Sequence, residues 1–235
     1  CALTVPKPLP PPVKVSADVL FYAPMDGTVH AAAAQGERRA LKEPKTVTYT
    51  AGRRGQAALL GADAQRRYWV DYTTQGNIDL NAGTIAMWIK PQGWDGDATG
   101  FRYFFMIRDE ALAKFYLYRF LKESLMLLAG NGVEGQWGAI SKPTAGWPDG
   151  EWRHLAVTWD GPVFSLYVDG IFLGKTRVPE AKRFRGLPAF FSIGQVQNWD
   201  SSKYPAQTAI DEVVIFGRPF SAEEILAERD RETAP

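Results

Sequence analysis

One continuous stretch, residues 150–177, limits the possible fold more than any other part of the chain. It reads GEWRHLAVTWDGPVFSLYVDGIFLGKTR. Within 152–159 the side chains alternate in character with a period of two, as they do when successive residues of a strand point to opposite faces. Asp160-Gly161 and Asp169-Gly170 then interrupt the pattern with residues that favour tight turns. The stretch therefore predicts three antiparallel strands joined in a meander.

Other runs rich in aromatic and β-branched residues follow the same design and are separated by Gly, Pro, Asn and Asp. The clearest of them predict strands over 84–90, 101–107, 115–120, 124–129 and 209–216. About a dozen short strands are typical of an all-β sandwich or barrel. Ser221 and Glu224 form a capping-box pattern after the last run, which predicts one helix over 222–231.

The first segment of the chain has a different composition. Residues 1–15 read CALTVPKPLPPPVKV, with prolines at positions 6, 8, 10, 11 and 12. Such a segment favours the extended polyproline II conformation, which has no internal hydrogen bonds and could reach roughly 40 Å here. We therefore expect a proline-rich arm over 1–17 and a β-sandwich domain over 18–235.

Charge and cysteine content narrow the range of partners. The chain has 27 Lys and Arg against 26 Asp and Glu, so a net charge of +1 gives no overall attraction to nucleic acid or to an anionic membrane. It has no run of about 18 apolar residues, the minimum for a helical membrane span. Its single cysteine is Cys1.

The position of that cysteine predicts a lipid anchor. Bacterial lipoproteins mature by cleavage just before a cysteine whose thiol carries a diacylglyceryl group. We therefore expect Cys1 to be lipidated and the protein to lie outside the cytoplasm, in a bacterial periplasm or at the cell surface, touching the membrane only through this anchor. The alternative is a chain end that falls on cysteine by chance.

Several segments in series carry a family resemblance. They are FYAPMDGTV (21–29), NIDLNAGTIAMWIKP (77–91), GEWRHLAVTWDG (150–161), FSLYVDGIFLG (164–174), FSIGQ (191–195) and AIDEVVIFGRPFSAEEI (209–225). In this order they resemble the laminin-G-like domains of bacterial secreted proteins, within the concanavalin A-like lectin and glucanase superfamily. The resemblance implies a jelly roll of two curved antiparallel sheets, and much less about the ligand.

The residues do not favour catalysis. Superfamily members that hydrolyse glycans use paired carboxylates on one strand, in an E-x-D-x-x-E arrangement, and the predicted strands lack it. His30 and His154 are the only histidines, so a Cys/His metal cluster or nucleophile pair is absent from the sequence. We expect His154 to be a packed, hydrogen-bonded ring in a strand. The chain is thus predicted not to be an enzyme, and a glycoside hydrolase is the least favoured function.

The resemblance implies a possible structural calcium ion where the first strand meets the last. The matching carboxylates would be Asp26 and Asp211, with Gly27 and neighbouring carbonyls completing the shell of oxygen ligands that calcium prefers. The alternative is that Asp26 only makes a turn and Asp211 only pairs with an arginine.

Large aromatic residues between the predicted strands are candidates for ligand or partner binding. Exposed rings beside polar groups suit sugar stacking and protein interfaces equally, and the alternative is that each ring is a lid on the core. These candidates are Trp94, Trp137, Trp147, Trp199 and Tyr204.

Two binding functions follow from this reading. The first is a non-catalytic, lipid-anchored scaffold that docks on an integral-membrane or surface protein complex as an accessory subunit, through the arm and a rim of loops. The second is a carbohydrate-binding, lectin-like module. They share a fold, so the binding surface must distinguish them.

Overall fold

The computed structural model describes residues 8–63, 66–120, 124–131, 138–195 and 206–235. Its strands form two antiparallel sheets that pack face to face. Ten strands make the first sheet: β1 (Val19–Ala23), β2 (Ala33–Ala34), β3 (Thr48–Ala51), β4 (Gln56–Ala62), β5 (Arg67–Tyr68), β7 (Ala82–Gln92), β12 (Arg153–Asp160), β13 (Val163–Val168), β14 (Ile171–Arg177) and β16 (Ala206–Phe216). Six make the second: β6 (Val70–Thr73), β8 (Arg102–Asp109), β9 (Ala113–Phe120), β10 (Ser124–Gly130), β11 (Gly138–Pro143) and β15 (Phe190–Ile193).

The strand order is that of a jelly roll. The ten-stranded sheet runs β14-β13-β12-β7-β16-β1-β2, while β4 pairs with the first half of β16 and carries β3 and β5. The six-stranded sheet runs β11-β10-β9-β8-β15-β6. The predicted all-β sandwich with two antiparallel sheets is therefore confirmed.

The elements with the strongest sequence patterns form where they were predicted. β12, β13 and β14 make the meander, and Asp169 and Gly170 turn it with φ of 52° and 79°. Helix α1 (Ala222–Asp230) begins at the expected capping box, in which Ser221 and Glu224 exchange hydrogen bonds. In the described part of the chain, no helix is both long and apolar enough to span a bilayer.

The main core lies between the sheets. Phe21, Tyr72 and Phe191 pack in one group of rings with centroids 4.8 to 5.3 Å apart. Trp159 is fully buried, and its indole N–H donates to the carbonyl of Asp79 at 2.9 Å. The tryptophan of the meander thus fixes the loop before β7.

The described part of the proline-rich arm lies on the domain's own surface. The amide of Val13 donates to the carbonyl of Ala32 at 3.3 Å, next to the edge strand β2. The guanidinium of Arg38 donates to the carbonyl of Pro10, and the amide of Ser16 donates to the carbonyl of Pro235. The arm therefore follows the edge of the ten-stranded sheet.

A buried ionic network holds the C-terminal segment on the outer face of the same sheet. The guanidinium of Arg231 lies 2.9 Å from Glu212 and 2.5 Å from Glu228. Glu212 also pairs with Arg54 at 2.7 Å and accepts a hydrogen bond from the hydroxyl of Tyr22. Because Glu212 is only 3% exposed, its charge depends on these partners.

We predict that Arg231→Ala lowers the free energy of unfolding by about 3 kcal/mol, because it leaves the buried Glu228 without its cation and Glu212 with Arg54 alone. The matched control is Arg183→Ala, which removes an exposed pair with Glu180 and should change stability by less than about 0.5 kcal/mol. Chemical denaturation of both variants measures the difference. Equal effects would show that the network contributes no more than a surface pair.

Candidate functional site

The six-stranded sheet is apolar on both of its faces. Alternate residues of β8, β9 and β10, such as Phe105, Phe115 and Leu127, point into the core. The register places the other set on the outer side, where it forms a second cluster. We call this cluster the aromatic face: Phe101, Tyr103, Met106, Tyr116, Tyr118, Met126 and Leu128.

The rings of the aromatic face stand side by side. Phe101, Tyr103 and Tyr118 are parallel within 6° to 7°, with centroids 4.9 to 6.4 Å apart. Tyr116 meets Tyr103 edge to face at 5.8 Å. Phe120 packs edge to face on Phe101 at 5.1 Å and is 37% exposed.

The packing of these rings limits which ligands the surface can bind. Sugar stacking needs a free ring face, whereas Phe101, Tyr103 and Tyr118 turn their faces towards one another. Burial raises the pKa of Tyr116 and of Tyr118, so their hydroxyls stay neutral at physiological pH. Phe101, Tyr103 and Tyr118 are only 8%, 4% and 6% exposed, so the accessible part of this surface is formed by their neighbours Tyr116, Phe120 and Met126.

The aromatic face does not present a pair of catalytic carboxylates in the described strands. One row across the sheet runs Leu128, Tyr116, Met106, Ser192 and Asp71, with Asp71 as its single acidic residue. Asp71 accepts a hydrogen bond from the Ser192 hydroxyl at 2.6 Å. Glycoside hydrolysis usually needs two carboxyl groups with different roles, and this row supplies one.

His154 is a buried ring in β12, as the sequence predicted. It is 1% exposed and lies 5.2 Å from the ring of Trp88. Burial, with the nearby charges of Arg231 and Arg229, lowers its pKa to about 3. The ring is therefore neutral at physiological pH. Its Nδ1 has no hydrogen-bond partner among the described residues, so the expected hydrogen bond is missing at this atom.

The structure brings Asp26 and Asp211 to one corner of the sandwich, beside the turn between β3 and β4. The amides of Arg53 and Arg54 donate to Oδ2 of Asp211 at 2.7 and 3.0 Å. The amide of Gln56 donates to Oδ1 of Asp26 at 2.6 Å. Asp211 thus meets the backbone of these arginines.

The corner has the chemistry of a cation site, although only two carboxylates reach it. Oδ1 of Asp211 is buried without a hydrogen-bond partner among the described residues. Burial raises the pKa of Asp211 to about 7, and the charges of Glu212 and Asp26 add to the effect. No group of three His, Cys, Asp or Glu side chains suited to a metal occurs in the described ranges. Carbonyl oxygens and water would have to complete a calcium shell around Asp26, Gly27 and Asp211.

The loop aromatics proposed from the sequence divide into three groups. Trp94 is 3% exposed, and its indole N–H donates to the carbonyl of Gln207 at 2.9 Å, so it is a lid on the core. Trp147 is half-buried, with the guanidinium of Arg153 5.9 Å from its ring. The remaining candidates lie outside the described residues, as does the lipidation candidate: Trp137, Trp199, Tyr204 and Cys1.

The sequence analysis did not identify the aromatic face. Its signal was present in residues 101–129, where both alternating sets of each strand are apolar. A strand with one face in water should be polar on that face. Apolar residues on both faces therefore indicate a second covered or binding surface.

Comparison with known proteins agrees with this fold. Residues 47–226 match the family described as the concanavalin A-like lectin/glucanases superfamily. The chain belongs to this superfamily. A search of the curated proteins by sequence finds no match.

Two of the solved structures that are similar to this concanavalin A-like chain are binding domains. The binding domain of Paraclostridial Mosquitocidal Protein 1 has a TM-score of 0.71 at 14% identity, over 91% of this chain and 52% of that one. The binding domain of botulinum neurotoxin DC, in complex with SialylT, has a TM-score of 0.69 at 12% identity, over 91% and 51%. This chain thus spans about half the length of these toxin domains.

A third similar structure matches over nearly its whole length. Domain 4 of AbnA, an extracellular arabinanase from Geobacillus stearothermophilus, was solved in complex with arabinotriose. It has a TM-score of 0.66 at 21% identity, over 89% of this chain and 97% of that domain. At such identities the likeness shows the fold alone.

We predict that Asp211→Asn stabilises the metal-free protein above pH 7 by about 2 kcal/mol, because it removes a buried charge that lacks a full set of partners. The pKa of Asp211 lies above its ordinary value, so the gain should shrink as pH falls through about 7 towards 3.8 and the wild-type carboxyl takes up a proton. Thermal unfolding in chelator across this pH range measures it. The exposed Asp160→Asn is the control, and a gain that does not vary with pH would contradict the prediction.

Proposed function

We propose that this chain is a non-catalytic recognition domain that docks on a membrane protein complex as a lipid-anchored accessory subunit. The aromatic face of the six-stranded sheet is its docking surface. The coarser part of this statement, a binding domain of the concanavalin A-like superfamily, agrees with the binding domains among its structural neighbours.

The parallel stack of Phe101, Tyr103 and Tyr118 carries the proposal. The stacked rings are themselves nearly buried, and the partly exposed Tyr116 and Phe120 beside them would meet the partner. Such a rigid surface loses little conformational entropy when a partner covers it. Phe120, partly exposed beside the stack, adds an apolar anchor of the kind that dominates binding energy in protein interfaces.

The membrane context of the proposal comes from the sequence. A diacylglyceryl group on Cys1 would hold the domain at a bacterial membrane, outside the cytoplasm. Because several acyl chains bury many CH₂ groups at about 0.8 kcal/mol each, such an anchor would be stable. It would also keep the aromatic face at high local concentration near a membrane-embedded partner.

A carbohydrate-binding module is the second candidate. A groove of about 370 Å³ at one end of the sandwich combines the ring of Phe184 with polar groups of Asn81, Glu180 and Arg183. This volume and mixed lining suit a small ligand. The complexes of similar domains with SialylT and arabinotriose support this alternative.

Substitution on the aromatic face tests the docking proposal. Tyr116→Ser combined with Phe120→Ser should abolish co-purification of stoichiometric membrane subunits, because it removes apolar anchors from the surface. The chain is purified from gently solubilised native membranes. Mass spectrometry identifies the proteins that come with it and shows whether Cys1 is lipidated. Phe172→Ser is the matched control, since Phe172 is 50% exposed on β14 of the other sheet.

Three results would contradict the proposal. The first is a wild-type chain that purifies as an unlipidated monomer without companions. The second is an equal loss of companions from the Phe172→Ser control, and the third is companions that remain bound to the double variant. A folded chain without companions that binds a glycan array through Phe184 would establish the second candidate instead.

We also propose a structural calcium ion at the corner formed by Asp26, Gly27 and Asp211. The partnerless Oδ1 of Asp211 supports it, because a divalent cation would compensate this buried charge. Millimolar calcium should raise the melting temperature of the wild type by several degrees and leave Asp211→Asn unchanged. Equal responses of the two proteins, or an equal effect of magnesium, would refute a specific calcium site.

A further inference from the structure

The edge of the sandwich beside the arm is closed by a long loop, residues 35–47, between β2 and β3. Arg38 fastens the loop to the first sheet by donating to the carbonyl of Ala31 at 3.0 Å. The amides of Leu41 and Lys42 fasten it to β6 by donating to the carbonyl of Asp71. Since Arg38 also binds the arm, the loop, the arm and β6 form one continuous edge.

This edge carries a local excess of positive charge that the net charge of +1 conceals. Five of its cations are exposed, and none of them pairs with a carboxylate in the described part of the chain. We call them the basic edge: Lys14, Lys42, Lys45, Arg66 and Arg67.

The acidic residues of the same edge bind the protein's own donors. Asp71 accepts from Ser192 and from the indole of Trp69. Asp63 accepts from the amide of Arg66 and the hydroxyl of Tyr68. The loop also contains Glu37, which is exposed and accepts from the amide of Arg39, and the half-buried Glu43, which lies 3.9 Å from His30. Five exposed cations against one exposed carboxylate leave the edge with an excess of positive charge.

Apolar side chains lie among these cations. Leu41 is 59% exposed, and Leu9 and Val13 of the arm are 36% and 38% exposed. The half-buried Trp69 has the ammonium of Lys42 3.9 Å from its ring centre and the guanidinium of Arg67 at 5.6 Å. Tryptophan and basic side chains together are typical of the boundary between water and lipid headgroups.

We propose that the basic edge binds the surface of an anionic lipid bilayer directly, independently of any lipid on Cys1. The cations contact phosphate headgroups, while Leu41 and the apolar residues of the arm enter the headgroup boundary. Each Lys or Arg close to an anionic surface strengthens binding about fivefold, so several of them suffice for measurable affinity. The arm emerges from this same edge, so an anchor at its end and the basic edge would meet the same membrane.

Vesicle co-sedimentation of the full chain carrying Cys1→Ser tests the proposal without a lipid anchor or a protein partner. The protein should bind phosphatidylcholine vesicles that contain phosphatidylglycerol and not those of phosphatidylcholine alone. Binding should fall steeply in about 0.5 M NaCl. Lys42→Glu with Arg67→Glu should weaken it at least tenfold, and Leu41→Ser a few-fold.

The matched control is Lys175→Glu with Arg177→Glu, which makes the same charge change on β14 at the opposite edge of the sheet. It should leave vesicle binding unchanged. Thermal unfolding checks that each variant is folded, and Lys14→Glu with Lys45→Glu replaces the first pair if the Lys42 and Arg67 variant is not.

No binding, equal binding to neutral vesicles, or an equal or greater loss in the β14 variant would overturn the proposal. Because the assay contains no membrane protein, its failure would leave the docking role of the aromatic face untouched.

Discussion

Strand β16 is the element on which the other parts of the structure depend. It pairs with β7 along most of its length, with β4 over its first half and with β1 over its second. The change of partner coincides with a register shift after Asp211, where Glu212 has a φ of 55°. This bulge places neighbouring carboxylates in different sites, Asp211 at the corner turn and Glu212 in the network under the C-terminal segment. One local irregularity thus joins the corner of Asp26 and Asp211 to the packing of α1.

The sequence predicted the elements that are determined by local patterns of residues. The meander of β12 to β14 and the capped helix α1 follow from alternation, turn residues and the Ser221–Glu224 pair, all of which act within a few residues. Two-residue strands such as β2 and β5 have too little sequence to show a period. They form because neighbouring strands position them.

The site was harder to predict than the fold because its residues are distant from one another in sequence. Bringing Asp26 to Asp211 relied on family resemblance, since 185 positions separate them, as their numbers show. The loop position of Trp94 suggested exposure, but an indole hydrogen bond to Gln207 and burial against Phe104 make it core. The aromatic face depends on cross-strand neighbours in β8, β9 and β10, and those become visible only when the register is known. The basic edge likewise assembles from segments that are distant in sequence.

The arm along β2 has a consequence for association between copies of the chain. A bare edge strand offers unpaired amides and carbonyls to any other strand, and is a common starting point for aggregation. Here the arm covers the edge, and its Pro10, Pro11 and Pro12 have no N–H to offer in turn. The covered edge therefore ends the sheet. Copies of the chain would therefore not extend one another's ten-stranded sheet through β2.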